Sequence, residues 1–282
     1  MSNVVPVGRA FFGVALIAWG VQQFLFGDFV PGRAPAWPAS LPGKLFWAYV
    51  SGAVFIASGA AILSTYAQGL RRDPGFTRLS RTPRLAALLA GSLIMVWALL
   101  RHIPLALADT NFGGAWTALG KALAFTGGAL AIAGSLTPRG ASGVSRHPDW
   151  LIHIGRACLG IFMINSGIQH FIWTDFVDTL VPTWVAGGAR FWTYFAGVAL
   201  IAGGAGMNFR PTARLAALLS GGMVFTWFVI LHIPRALAAA PDNGRNEWIA
   251  VFEALAVSGI ALVVSTASPR EHPASKPAES VL

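Results

Sequence analysis

The chain carries two copies of one pattern. Gly8 to Val30 aligns with Gly155 to Val177 at a constant offset, and 11 of the 23 paired positions are identical. Arg84 to Ala108 aligns with Arg214 to Ala238, with 14 of 25 identical, including His-Ile-Pro twice (His102 to Pro104, His232 to Pro234). Phe46-Trp47-x-Tyr49 matches Phe191-Trp192-x-Tyr194, and Trp116 matches Trp248. Apolar composition alone does not pair Arg9 with Arg156, Gln22 with Gln169, Asp28 with Asp175 and His102 with His232 in register. A repeat this long is a duplicated domain and not a solenoid unit. The predicted units are residues 1–140 and 141–268, followed by a disordered cytoplasmic tail at 269–282.

Each copy must fold in lipid. The 282 residues are 55% hydrophobic and 11% charged, with a mean hydropathy of +0.62, against about 25% charged in an average soluble chain. A bilayer core of about 30 Å takes about 20 apolar residues per helix. Eight segments qualify: 6–26, 44–66, 84–107, 115–136, 151–173, 189–208, 212–238 and 247–267. The expectation is an all-α membrane protein with eight transmembrane helices as two parallel four-helix repeats. Four spans per copy put both copies in one orientation, related by a pseudo-two-fold along the membrane normal.

The net charge of +9 is an orientation signal and does not call for nucleic acid. Arg9, Arg71, Arg72, Arg78, Arg81, Arg84, Arg139, Arg146, Arg156, Arg210, Arg214, Arg270 and Lys276 all fall on one side. The opposite loops mix Arg33, Lys44, Arg190 and Arg245 with Asp28, Asp109, Asp175, Asp178 and Asp242. The positive-inside rule therefore makes both termini cytoplasmic. Membrane lipids are the implied contact, with anionic headgroups against the basic loops. Arg9 and Arg156 read as snorkelling anchors. The single cysteine, Cys158, allows no internal disulfide and no iron–sulfur cluster, and its spacing partners include no metal-ligand pattern.

Ionisable groups inside a membrane are costly and mark function by default. Here they gather at one depth, in the outer third of the spans. His170, His232 and Glu253 come first, with Gln169 beside His170 and Arg235 one turn after His232 on the same face. Trp192 and Trp248 are further pocket candidates, and Trp47 and Trp192 are candidates for its roof. Copy one carries Gln22, Gln23, His102 and Lys121 at corresponding places. Lys121 thus stands where copy two has Glu253, and Gln23 where it has His170. That asymmetry predicts one active and one degenerate cavity, or one composite cavity between the copies. An ion pair between Lys121 and Glu253 across the pseudo-axis is the structural alternative. Pro104 and Pro234 lie inside spans. Each removes a backbone hydrogen bond and frees the carbonyl four residues back, so both spans should be broken near their histidines.

Several stretches resemble the DoxX family of small bacterial membrane proteins. These are Gly167-Ile-Gln-His170-Phe171, Asp175-Phe-Val with Leu180-Val-Pro-x-Trp184, Phe191-Trp-x-Tyr-Phe-Ala-Gly197, Leu231-His-Ile-Pro-Arg-Ala-Leu237 and Asn246-Glu-Trp with Phe252-Glu-Ala-Leu255. Copy one matches more loosely, with Gln22-Gln23-Phe24 in place of Gln-His-Phe. The resemblance implies a fused tandem of four-helix membrane units in the bacterial inner membrane. It also implies a connection to quinone and to other membrane or redox subunits. No catalytic residue set is specified, so three functions compete. They are a quinone-binding redox subunit, a binder or carrier of lipid or small amphipathic molecules, and a scaffold without chemistry.

Overall fold

The computed structural model describes residues 4–30, 37–38, 40–71, 81–111, 113–136, 150–240 and 243–266, with backbone alone at 67–71. The expectations for Arg33, Arg72, Arg78, Arg139, Arg146, Asp242, Arg270, Lys276 and the tail 269–282 lie outside the described residues. The described residues are helical, with short turns and no strand. Eight long helices follow in order: α1 (Val4–Phe26), α2 (Lys44–Arg71), α3 (Arg81–Ala108), α4 (Gly113–Ser135), α5 (Trp150–Ile172), α6 (Ala189–Asn208), α7 (Ala213–Ala238) and α8 (Gly244–Val264). Seven of them are long and apolar enough to cross a membrane. The exception is α6, where Arg190, Trp192, Thr193, Tyr194, Asn208 and four glycines dilute the apolar run.

Local chemistry sets the helix ends and breaks. Gly27 follows α1 at φ 59°, and Gly187 and Gly188 precede α6 at φ 101° and 80°. Those backbone angles favour glycine because it has no Cβ. The prolines act as expected. Residues Ala98–His102 in α3 and Phe228–His232 in α7 form π turns, each followed by a proline at the start of the next α segment. A proline at 104 or 234 cannot donate and crowds the carbonyl four residues back, and a wider i→i+5 turn takes up the mismatch.

Each helix packs against the next in the chain, and α8 closes back on α1. Across the middle, α8 also contacts α4 and α5. Helices α4 and α8 are the most enclosed, with 61% and 72% of their apolar windows buried, against 22% for α7.

Lipid tails are as apolar as leucine, so close packing and not water exclusion holds such helices together. Glycines supply it. A Cβ at Gly20 would lie 2.5 Å from the Gly52 carbonyl oxygen on α2, and one at Gly167 would lie 2.7 Å from the Gly197 oxygen on α6. One turn pair further along, Gly59 meets Gly13 and Gly204 meets Gly160 in the same way. The third matched set crosses the halves: Gly8 of α1 meets Gly259 of α8, and Gly155 of α5 meets Gly127 of α4. The first helix of each half therefore packs on the last helix of the other.

An ion cluster ties one outer corner. Asp28, just past α1, accepts from Lys44 Nζ at 3.0 Å and from the Phe29 amide at 2.8 Å, and lies 3.4 Å from Arg245 of α8. Burial pushes the Asp28 carboxyl up, but the Lys44 hydrogen bond, the Phe29 amide and the two positive charges outweigh it and hold it below the usual carboxylate range. A carboxyl depressed by folding stabilises above its unfolded pKa of about 3.9 and loses that contribution as pH falls through the folded value. In detergent, Asp28→Asn should lower the melting temperature at pH 6 and have little effect near pH 3, read by thermal scans at both.

Candidate functional site

The centre of the molecule holds a charge pair between matched positions. Lys121 of α4 and Glu253 of α8 occupy the same place in their two copies and face each other. Lys121 Nζ donates to Glu253 Oε2, with the two side chains 18% and 5% exposed. Seven residues further along, the next matched pair also meets: a Cβ at Gly128 would collide with the Ile260 side chain. Seven residues are two helical turns, so two sequence-matched pairs meet along the α4–α8 contact.

Two polar atoms at this centre are enclosed without a hydrogen-bond partner. One is Glu253 Oε1, the second oxygen of the paired carboxylate; the other is His232 Nδ1 in the α7 π turn. The charges of Lys121, Glu253, Glu247 and Arg235 all act on His232. A buried acceptor left unpaired costs about 1–3 kcal/mol, more when charged. Both atoms are therefore placed to take a proton or a hydrogen-bonding ligand. The structural alternative of an ion pair across the axis is present, and it shares its carboxylate with the candidate site. Lys121 thus lies against the candidate carboxylate of the other copy.

Other candidates stand elsewhere. Arg235 was a candidate for the same pocket as Glu253. Its guanidinium instead spans Glu247, with Nη2 2.8 Å from Oε1 and Nε 3.2 Å from Oε2. Glu247 lies in the first turn of α8, six residues before Glu253. His170 turns back on its own helix, its Nδ1 2.8 Å from the Ser166 carbonyl oxygen, and sits on the α5–α6 seam beside Gly197. Trp192 donates to the Ala186 carbonyl at 2.6 Å and packs on Phe195, so it fastens the loop before α6. Trp248 stacks on Phe252 at 6.5 Å and is 38% exposed.

In copy one, Gln23 is a staple. It donates to the Val30 carbonyl and accepts from Ser51 Oγ at 2.6 Å, joining α1, its following loop and α2. Gln22 is buried with Oε1 unpaired, and His102 is buried in the α3 π turn. Arg9 donates to Ser135 Oγ at 3.0 Å and to the Ser135 carbonyl, placing a cation on the C-terminal end of α4, where the helix dipole favours one. Among the described residues no three His, Cys, Asp or Glu side chains group as metal ligands.

Gln169 belongs to a second feature that the sequence did not announce. A cleft of about 510 Å³ opens between the start of α4 and the end of α5, lined in part by Asn111, Trp116, Asn165, Gln169 and Trp173. Thr117 Oγ1 donates to Gln169 Oε1, and Gln169 Nε2 donates to the Gly113 carbonyl at 3.3 Å. Thr117 stands one turn before Lys121, so the cleft and the charge pair share a face of α4.

Residues 159–267 match the family described as Domain of unknown function (DUF8561). That stretch covers α6, α7, α8 and most of α5, and is under half the chain. No curated protein and no solved structure matches the chain.

Proposed function

We propose that the chain is a DoxX-type inner-membrane protein of eight spans in two parallel four-helix repeats, and that it binds a quinone-class ligand at the Lys121–Glu253–His232 centre. The matched glycine contacts in the two halves and the meeting of Lys121 with Glu253 and of Gly128 with Ile260 support the repeat reading. Together they describe a pseudo-two-fold through the α4–α8 seam. The eighth span is α6, whose 20 residues suffice for a bilayer core and whose glycines pack on α5 as those of α2 pack on α1. Both termini lie in the cytoplasm on this reading, by the basic-loop bias. Labelling tests it in a Cys158→Ala background. An impermeant thiol reagent on intact cells should reach Thr179→Cys and miss Thr212→Cys; the reverse would invert the topology.

The observation that carries the ligand reading is the pair of enclosed, unpartnered atoms, Glu253 Oε1 and His232 Nδ1, beside a buried ammonium. A quinone carbonyl needs a hydrogen-bond donor, and its reduction to a quinol takes two electrons and two protons. Electrons come from a partner redox subunit. Lys121 and His232 serve as donors to the quinone carbonyls, Glu253 Oε1 accepts from the hydroxyl of the quinol, and Glu253 and His232 bring the two protons in from the outer aqueous side. A short-chain quinone and its quinol, titrated into nanodisc-embedded protein, test this. Binding should vary with pH in the wild type, and Glu253→Gln should weaken binding of the reduced, quinol form about tenfold, the loss of one hydrogen bond to a charged group. Absence of binding at every pH would leave the scaffold reading.

A further inference from the structure

The α4–α5 cleft has a chemistry of its own. It lies at the outer ends of both helices, where α4 begins and α5 finishes. Its wall toward lipid is formed by Ile168 and Ile172, 45% and 63% exposed. Among the described residues its polar wall holds no ionisable side chain. That is unusual for this surface, because other outer corners hold ion pairs: Asp28 with Lys44 and Arg245, Arg190 with Asp175 and Asp178, and Arg235 with Glu247. A charged head placed in the cleft would lose water without gaining a counter-ion.

The groups that remain available are mixed donors and acceptors. Gln169 is spent on Thr117 and Gly113, and the Trp116 indole N–H on the Thr110 carbonyl at 3.0 Å. Asn165 gives one N–H to the Trp116 carbonyl at 3.3 Å and keeps its amide oxygen. Neither the Asn111 side-chain amide nor the Trp173 indole N–H has a hydrogen-bond partner among the described residues. A planar amide offers donor and acceptor together, which matches hydroxyl groups, themselves both donor and acceptor. A quinone offers acceptors alone and would leave the Asn165 oxygen unsatisfied. The two indoles add apolar faces of the kind that pack against the C–H face of a sugar ring, with polar edges left to bond.

The cleft is built on one side only. Gly113 makes the room, since a Cβ there would run into the Trp173 indole. In the other half the matched positions are Arg245 and Phe26. The Arg245 guanidinium lies 4.7 Å from the Phe26 ring centre and also reaches Asp28, so that corner is filled. The volume of about 510 Å³ falls within the range of about 300–1,000 Å³ for small-ligand sites.

We propose that this cleft binds the uncharged, polyhydroxylated head of a membrane lipid, a glycosyl head with its acyl chains lying along Ile168 and Ile172. This site is separate from the Lys121–Glu253 centre, and either can fail without the other. The experiment uses full-length protein in a polyoxyethylene detergent, which carries no sugar. Equal amounts of a glucosyl diacylglycerol and a phosphatidylglycerol with the same chains are added, and retained lipid is counted by native mass spectrometry. The wild type should retain the glucosyl lipid about tenfold over the anionic one, one to two net hydrogen bonds' worth. Trp173→Ala and Asn111→Leu, at exposed positions that hold no helix together, should each bring the ratio close to one. Trp184→Ala, exposed and outside the cleft, should leave it unchanged. A preference for the anionic lipid, or one that survives both cleft variants, would overturn the proposal. Displacement of the lipid by an equal concentration of free glucose would overturn the lipid assignment, because the chains would then contribute nothing.

Discussion

Lys121→Met and Glu253→Leu, made singly, should each destabilise the protein by about 3–5 kcal/mol, because each leaves its partner charged, enclosed and unpaired. The double variant Lys121→Met/Glu253→Leu should recover most of that loss, because well-packed apolar groups of similar volume replace a buried ion pair at little or no cost. Thermal unfolding in one detergent, with the three variants side by side, gives the comparison. The single losses follow from the 18% and 5% exposure of the two side chains. The recovery is the more informative half. If the double variant is as unstable as the singles, then Lys121 or Glu253 holds something besides the other. A double variant of normal stability that no longer binds ligand would mean that the pair is kept for function.

Gly20→Val and Gly167→Val should be the most damaging changes away from that centre, and equally so. In each case the added Cβ meets a carbonyl oxygen and an isoleucine of the neighbouring helix, with Ile56 Cγ1 2.6 Å away at the first site and Ile201 Cγ1 2.7 Å away at the second. Backbone atoms cannot rotate aside, so the helices must separate. Overpacking of this kind costs about 1–3 kcal/mol or more, and the loss of close packing removes the main force between helices in lipid. Gly222→Val is the control, because a Cβ there meets nothing within 4 Å. Fluorescence-detected size-exclusion profiles should show loss of the monodisperse peak for the first two and retention for the control. A normal peak for Gly20→Val beside a collapsed one for Gly167→Val would contradict the equivalence of the two halves.

The all-α character and seven of the eight expected spans were legible, because membrane spans need little more than length and apolar composition. The π turns were legible in outline, because a proline inside a span has a fixed consequence for the carbonyl four residues back. The ring order was not, since the crossing of the halves, α1 on α8 and α5 on α4, rests on which glycine meets which. Among the site residues, Glu253 and Lys121 could be read as partners because they hold one position in two copies and differ in sign. The pairing of Arg235 with Glu247 was not read from the sequence. A long side chain near a span's end pairs most easily with a carboxylate nearer the aqueous side, and Glu247 is six residues closer to it than Glu253. His170 and Glu253 share a depth, but depth does not specify direction around a helix axis, and His170 faces the α5–α6 seam. The cleft was invisible because its features are an absent side chain at Gly113 and amides that carry no charge.

The central claim is that Glu253, with His232 beside it, does the chemistry and that Lys121 sets its charge. Exchanging the two charges tests that most directly. The double variant Lys121→Glu/Glu253→Lys keeps one carboxylate and one ammonium on the axis, so its melting temperature should stay close to that of the wild type, well above either single variant. The carboxylate then belongs to α4, and the α8 position near His232 carries an ammonium. Quinol affinity in nanodiscs should therefore fall about tenfold and lose its dependence on pH. A charge-swapped protein that is stable and binds quinol with the wild-type affinity and pH profile would contradict the account.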